Sequence, residues 1–316
     1  MAARVLLTDR VAPRAAEVLA EMGVDAEQRD DLDRAALLDI IGGYDGLVVR
    51  SSTRVDAELL GAAHRLRIVG RAGIGVDNID LQASRARDVA VCNTPGGNAN
   101  AVAELAVGMM LSLVRHIPLA TVSMHEGEWR KKELKGRELR GQTLGVVGLG
   151  AVGRRVSELG RAMGMTVLAS DPFISTDDAA KVGAILTPLD QLVRNANVLT
   201  VHVPLVPATR NLVDRAVLAS LPAGALVLNL ARGGIVDEDA LLEAIDSGRV
   251  AGAAIDVWPD EPPPKDHPLR THPRVLATPH IAASTHEAQV AVAVQAAEQV
   301  GAFLVRGERR HIVNGV

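Results

Sequence analysis

Short runs rich in Val, Ile and Leu alternate with Ala- and Leu-rich stretches along almost the whole chain, and this alternation decides the fold class. Val5–Thr8, Leu47–Val49, Arg67–Val69 and Val89–Cys92 read as strands, with helical segments at 13–21, 34–41, 56–60 and 80–87. A long helix is expected over 99–115, and further strands at Thr143–Val147, Thr166–Ala169, Val198–Val201, Leu226–Asn229, Gly252–Ile255 and Arg274–Ala277. The last helix is expected over 284–305, where Ser284-Thr285-His286-Glu287 has the capping-box pattern of Ser followed three residues later by Glu. Near-continuous apolar strands separated by helices predict α/β architecture, with parallel sheets covered on both faces.

The strand at Thr143–Val147 runs into Gly148-Leu149-Gly150-Ala151-Val152-Gly153, and a helical pattern follows from Arg154 to Met163. Between a strand and a helix, this glycine spacing has a mechanical meaning. The first glycine makes the tight turn, the second lets the backbone approach a pyrophosphate, and the third lets helix pack on strand. The helix N-terminus adds positive potential for the phosphates. The next strand ends in Ser170-Asp171, with Asp171 placed 18 residues beyond Gly153, close to the offset of the acid that holds an adenine ribose. The bland alternative is a glycine turn with an incidental Asp. A carboxylate there accepts from a ribose diol but repels a 2′-phosphate. At ~4 Å and an effective dielectric of ~20, each like-charge pair costs up to about 4 kcal/mol, less where water screens it. NAD is therefore expected over NADP.

The position of the fingerprint matters as much as its pattern. It lies at mid-chain, so two α/β units are needed, and a first unit ending near residue 97 is small for an independent domain. The C-terminal helix and tail are expected to return and complete it. The expected division is 1–97 plus 284–316 as a substrate domain, with 98–283 inserted as a Rossmann nucleotide domain.

Composition narrows the function classes. Hydrophobic residues make up 48% and charged residues 23%, as in a soluble globular protein, and the net charge of −4 gives no electrostatic case for nucleic acid or membrane. Arg130-Lys131-Lys132 is the one basic cluster, and a solvated loop is its simpler reading. One cysteine, Cys92, excludes an intrachain disulfide and fits a reducing compartment. The N-terminal apolar run ends at Asp9 and Arg10, too early for a signal peptide, and Ala101–Val114 is too short to cross a bilayer. A cytoplasmic protein is expected. No His/Cys cluster has metal-ligand spacing, so zinc-dependent alcohol chemistry is not expected.

Transfer of a hydride from a hydroxyl carbon also needs a proton acceptor, a group to orient it, and a cation for the carboxylate and developing oxyanion. Three segments after or near strands carry such residues: Asn229–Asp237 with Arg232, Asp256–Pro262 with Glu261, and Thr278–Thr285 with His280. Open parallel sheets bind ligands beyond the carboxyl ends of their strands, where these segments fall. The other eight histidines, at 64, 116, 125, 202, 267, 272, 286 and 311, read as surface or core residues. Arg232 as a structural ion-pair residue and Glu261 as part of a proline-rich turn are the bland alternatives.

These segments resemble the Arg, Glu and His signatures of the D-isomer-specific 2-hydroxyacid dehydrogenases, and the resemblance runs through essentially all 316 residues. It implies a flavodoxin-like substrate domain and a Rossmann domain with a cleft between them. It further implies that Arg232 binds the substrate carboxylate and carbonyl, that His280 is the acid/base, and that Glu261 hydrogen-bonds His280. A neighbouring carboxylate favours the charged imidazolium. The implied cofactor contacts are Gly148, Gly150, Ala151, Val152, Gly153, Asp171, Val203, Ala231, Asp256 and Ile74. A homodimer is implied, built on the 99–115 helix and the Trp129 region, with Met109, Met110 and Leu113 as the apolar surplus.

Val49–Thr53, Gly70–Asn78 and Asn93–Asn98 resemble the branch of this family that oxidises 3-phosphoglycerate in serine biosynthesis. Arg50 and Ser51 offer a cation and a hydroxyl beside a glycine-containing loop, which suits a small substrate anionic at both ends. Gly73 and Asn98 complete the expected substrate contacts. The structural alternative is that Gly73 and Gly75 merely turn the chain. The chain ends where a catalytic core of this family ends, so no serine-sensing domain is expected. A glyoxylate/hydroxypyruvate reductase is the nearest alternative. A formate dehydrogenase is disfavoured by Glu261 where that branch has Gln, and a D-lactate dehydrogenase by the small Ala282-Ala283-Ser284 run. A non-catalytic NAD(H)-sensing scaffold of the corepressor type is the alternative from another class.

Overall fold

A computed structural model describes residues 2–316 and resolves two compact units. The first comprises residues 2–98 with Ser284–Val316, and the second Ala99–Ala283.

The first unit carries a five-stranded parallel sheet. Its strands are β1 (Arg4–Leu7), β2 (Asp25–Gln28), β3 (Gly46–Val49), β4 (Ile68–Arg71) and β5 (Ala90–Cys92), in the order β2-β1-β3-β4-β5. This is the flavodoxin-like order. Successive side chains of β1 point to opposite faces, so Val5 and Leu7 enter one core and Leu6 the other. The terminal helix His286–Arg306 covers one face and contributes Val292, Ala296, Val300 and Leu304 to that core. It lies so close to the sheet that a Cβ on Gly70 would sit 2.6 Å from Val300 Cγ2. This helix is long and apolar enough in composition to cross a membrane, but half of its most apolar window is packed inside the unit. Its N-cap is Thr285, whose hydroxyl accepts from the Ala288 N–H, rather than Ser284 as the capping-box pattern suggests.

The second unit holds a seven-stranded parallel sheet: β6 (Thr143–Val147), β7 (Thr166–Ser170), β8 (Ile185–Leu186), β9 (Val198–Val201), β10 (Ala225–Asn229), β11 (Val250–Ile255) and β12 (Val275–Ala277). The order is β12-β11-β10-β9-β6-β7-β8. Counted within the unit this is 3-2-1-4-5-6 with a seventh strand added, the dinucleotide-binding order, and its switch point lies between β6 and β9. Leu144 and Val146 of β6 face one core and Val147 the other. The helix Ala99–Val114 packs Val102, Ala106, Met109 and Met110 into the first of these. Met109 and Met110 are thus buried within their own unit and are not apolar surplus. The exposed apolar side chains of this region are Leu111, Ile117, Val122, Met124 and Trp129.

Candidate active site

The glycine loop follows β6 at the switch point. Gly148 has φ +92°, and a Cβ there would lie 2.9 Å from the His202 carbonyl carbon, so only glycine suits the turn. A Cβ on Gly153 would stand 2.0 Å from the Gly148 carbonyl oxygen, which fixes how closely the Ala151–Ala162 helix meets the loop. A Cβ on Gly150, at the N-cap of that helix, would meet nothing within 4 Å, so its face of the loop is open to an approaching phosphate. The three glycines therefore fit a dinucleotide pyrophosphate in the three distinct ways the motif requires.

Asp171 lies just beyond β7. Its Oδ2 accepts from the Leu149 N–H (2.8 Å) and its Oδ1 from the Phe173 N–H (2.9 Å), so the acid also ties the glycine loop to its own strand end. An ionised carboxylate has about four acceptor positions, and two remain for a ribose diol. Val203 flanks Gly148 beyond β9, and Ala151 and Val152 open the helix. His202, read from the sequence as an ordinary histidine, bonds through Nε2 to Thr200 Oγ1 (2.9 Å), and burial pushes its pKa down to about 4.

The Arg232 loop leaves β10 through Asn229, whose side chain closes the turn. Asn229 Nδ2 donates to the Arg232 carbonyl (2.9 Å), and its Oδ1 accepts from the Ala231 N–H (3.1 Å). Arg232 Nη1 donates to the Ala231 carbonyl (2.7 Å). At Gly233 the loop presses on the next one, for a Cβ would be 2.0 Å from the Trp258 carbonyl carbon. Any larger residue would separate the Arg-bearing and Glu-bearing segments.

Asp256 follows β11 and is fully buried. Its Oδ1 accepts from Thr278 Oγ1 (2.6 Å) and the Ile281 N–H (2.8 Å), and its Oδ2 from the Ala282 N–H (2.9 Å). Its carbonyl accepts from the His280 N–H (2.8 Å). Four bonds thus hold the loop that carries His280, a residue in the left-handed region at φ 53°. His280 Nδ1 lies 2.7 Å from Glu261 Oε2, and Glu261 Oε1 accepts from the Trp258 N–H (3.1 Å). The carboxylate fixes the ring so that Nε2 is the nitrogen left to face a reactant.

Gly148, Asp171, Val203, Ala231, Arg232, Asp256, Glu261 and His280 therefore gather at the carboxyl ends of one sheet. The remaining predicted residues belong to the other unit, beyond β3, β4 and β5. There Asp9 Oδ2 accepts from the Arg50 N–H (2.8 Å), and Asn78 Nδ2 donates to the Arg50 carbonyl (2.9 Å), bracketing Arg50 and Ser51. The Ile74 carbonyl accepts from Asn93 Nδ2 (2.7 Å), and the Gly73 carbonyl from the Thr94 N–H (3.0 Å). Asn98 has a buried Oδ1 without a hydrogen-bond partner among the described residues.

Sequence reasoning missed the residues that brace these loops: Asn229, Trp258, Thr278, Asp9 and the pair Glu238–His267. Only the scarcity of aromatics, 2% of the chain with two tryptophans, could have singled out Trp258.

Comparison with known proteins agrees with this geometry. Residues 107–282 match the family described as "D-isomer specific 2-hydroxyacid dehydrogenase, NAD binding domain". The D-3-phosphoglycerate dehydrogenase of Archaeoglobus fulgidus is 45% identical over 297 residues, covering 94% of this chain and 56% of that protein. The chain spans about half the length of the curated relatives it matches. Among solved structures, the NAD+-bound 3-phosphoglycerate dehydrogenase of Entamoeba histolytica is 30% identical with a TM-score of 0.83, covering 99% of both chains. A glyoxylate reductase from Paecilomyes thermophila is 28% identical with a TM-score of 0.88, covering 99% of this chain and 98% of that one. The chain belongs to the D-isomer specific 2-hydroxyacid dehydrogenase family, and NAD is the cofactor its larger unit takes.

Proposed function

We propose that the protein interconverts 3-phosphoglycerate and 3-phosphohydroxypyruvate, the oxidative direction serving serine biosynthesis. The observation that carries the chemistry is the 2.7 Å bond between His280 Nδ1 and Glu261 Oε2, on a loop held by a buried Asp256. The Gly148–Gly153 loop and Asp171 would hold NAD(H), which when bound would supply or accept the hydride at the substrate C2 carbon. Arg232 grips the substrate carboxylate and the C2 oxygen, and its cationic fork stabilises charge developing there. In reduction, His280 donates a proton from Nε2 to the C2 oxygen; in oxidation, it removes that proton from the hydroxyl. Glu261 keeps the ring oriented, with Nε2 left for the substrate. Ala231 is assigned to the nicotinamide side of the cofactor and Asp171 to the adenine ribose, while the buried Asp256 acts through the His280 loop that it holds.

For the substrate phosphate we assign Arg50 and Ser51, with Gly73 and Asn98 completing the contacts. The bonds from Asp9 and Asn78 to the Arg50 main chain support this, since they fix the loop from which the cation extends. So does the similarity to phosphoglycerate dehydrogenases at 45% identity. The glyoxylate reductase likeness, with its TM-score of 0.88, supports a reductase of unphosphorylated acids as the second reading. NADH oxidation with phosphohydroxypyruvate, hydroxypyruvate, glyoxylate, pyruvate and 2-oxoglutarate separates the two. One charge-assisted contact contributes ~1.5–3 kcal/mol, so phosphohydroxypyruvate is expected to be preferred over hydroxypyruvate by about tenfold or more. Arg50→Ala then removes most of that preference. A better rate with hydroxypyruvate or glyoxylate in the unmutated protein overturns the phosphate assignment.

A homodimer is part of this reading. Leu111, Ile117, Val122, Met124 and Trp129 form an exposed apolar run, with Trp129 77% exposed. Apolar surface of this kind marks a protein interface. A cytoplasmic location fits the reduced, buried Cys92.

A further inference from the structure

Trp258 is the point where the segments carrying Arg232, Glu261 and His280 meet. Its main-chain N–H donates to Glu261 Oε1 (3.1 Å), and its indole N–H donates to the Thr278 carbonyl (3.2 Å), two residues before His280. Its carbonyl carbon lies against Gly233, where a Cβ would be 2.0 Å away. A second histidine also packs against the indole. His267 meets it edge to face, with centroids 5.3 Å apart and planes at 76°. His267 Nε2 in turn lies 3.1 Å from Glu238 Oε2, and the two side chains are only 19% and 18% exposed.

The pair has a telling place in the chain. Glu238 opens the helix Glu238–Asp246, shortly after Arg232, and His267 caps the turn Pro268–Thr271, shortly after Glu261. It therefore ties the chain beyond Arg232 to the chain beyond Glu261, with Trp258 packed against the tie. Burial pushes the Glu238 carboxyl up, His267 opposes this, and Asp239 and Asp237 reinforce it. Two apolar side chains would fill such a position at less desolvation cost, so stability alone gives no account of an ionisable pair there.

We propose that Glu238 and His267 are positioning residues for the reaction: they hold Trp258 so that its main-chain N–H keeps Glu261 turned toward His280. This rests on the reading under Proposed function, in which His280 exchanges the substrate proton. The path is short, running from Glu238 to His267, to the Trp258 ring, to the Trp258 N–H, to Glu261 and to His280. The glycine loop Gly148–Gly153 leaves a different strand and takes no part in it.

The test compares the unmutated protein with His267→Phe, which keeps a ring against Trp258 but removes the bond to Glu238, and with His267→Gln, whose planar amide can donate to Glu238 and still lie against the Trp258 ring. Three quantities are read: kcat and KM for the preferred 2-oxo acid, the Kd of NADH, and the downfield proton resonance of the His280–Glu261 bond. His267→Phe is expected to lower kcat by about tenfold or more, since small misplacements of catalytic groups cost one to two decades. NADH Kd stays within about twofold, and the His280 resonance moves upfield or vanishes. His267→Gln returns kcat and the resonance most of the way. If His267→Phe fails to fold, Glu238→Gln, which keeps the shape and removes the charge, is read the same way for the resonance and kcat. An unchanged resonance and kcat in the variant overturn the proposal whatever happens to its Tm, and so do equal losses in the Phe and Gln variants. Absence of turnover in the unmutated protein would sink the reaction instead, while the resonance, which needs no turnover, still decides the clamp.

Discussion

Replacing Asp256 by Asn changes one oxygen to an NH2 group and almost nothing in volume, which makes it a sharp probe of the His280 loop. The carboxylate is fully buried and takes three donors, two on Oδ1 and one on Oδ2. An amide oxygen placed at Oδ1 keeps the Thr278 hydroxyl and Ile281 N–H, but the NH2 then faces the Ala282 N–H, donor against donor. The reverse orientation is worse, because it confronts two donors. Loss of one charge-assisted bond costs ~1.5–3 kcal/mol, and a buried N–H left without an acceptor carries a desolvation penalty of similar size. The two overlap, so the net loss should be about 3 kcal/mol. The loop it holds includes His280 at φ 53°, a conformation that a non-glycine residue keeps only under constraint. Denaturant unfolding of Asp256→Asn should show the lost stability at an unchanged m-value, and kcat should fall by at least about tenfold as the His280–Glu261 geometry loosens. An unfolding midpoint and kcat both indistinguishable from the unmutated protein would refute the idea that this carboxylate braces the loop.

Gly153→Ala puts a methyl 2.0 Å from the Gly148 carbonyl oxygen, so it should cost about 1–3 kcal/mol by overpacking and weaken NADH binding, read by fluorescence titration. His202 has its pKa lowered to about 4, so below the unfolded-state value of about 6.5 the unfolded chain takes up the proton first and stability falls as pH drops. Between pH 7 and pH 5 this amounts to about 2 kcal/mol, and His202→Asn should lose that much less over the same interval in thermal melts. Asp171→Ala should narrow the preference for NADH over NADPH, measured as the ratio of kcat/KM values, because it removes the repulsion of a 2′-phosphate. Equal use of both cofactors by the unmutated protein would contradict the ribose assignment.

Much of the fold is legible because each strand buried on both faces is written locally in apolar residues. Six strands of the larger sheet and the place of the glycine loop follow from that signal, whereas β8, an edge strand of two residues, does not. β2 escapes it because Asp25-Ala26-Glu27-Gln28 forms an edge strand that carries almost no apolar residue. The short helices between β7 and β11 escape for a related reason: they bury only one or a few residues each, as Leu218 does in Arg215–Ser220. Thr285 caps the last helix in place of Ser284 because cap geometry turns on a backbone angle that either hydroxyl residue permits. Met109 and Met110 sit in an apolar helix whose sequence does not say which turn faces the sheet, and both prove buried.

Within the site, the side chains proposed to react are legible and their supports are not. Arg232, Glu261 and His280 are residue types suited to the chemistry near strand ends, and the family resemblance is what singles them out for their proposed roles. Asn229, Trp258 and the Glu238–His267 pair act through contacts between segments well separated in the chain, and no local periodicity encodes such contacts. Gly233 is visible as a glycine, but the reason for it, the Trp258 backbone 2.0 Å from a Cβ, exists only in three dimensions.

The most direct test of the central claim is the consumption of NADH with phosphohydroxypyruvate by the unmutated protein and by His280→Ala, each shown beforehand to bind NADH with the same affinity. Positioned acid–base catalysis contributes about 10²–10⁴-fold. The account predicts NADH consumption that depends on the 2-oxo acid in the unmutated protein, and a loss of at least two decades in kcat with NADH binding intact in the variant. Retention of a tenth or more of the rate in His280→Ala would contradict the proton-transfer role of His280, and no consumption by the unmutated protein with any 2-oxo acid would contradict the dehydrogenase reading itself.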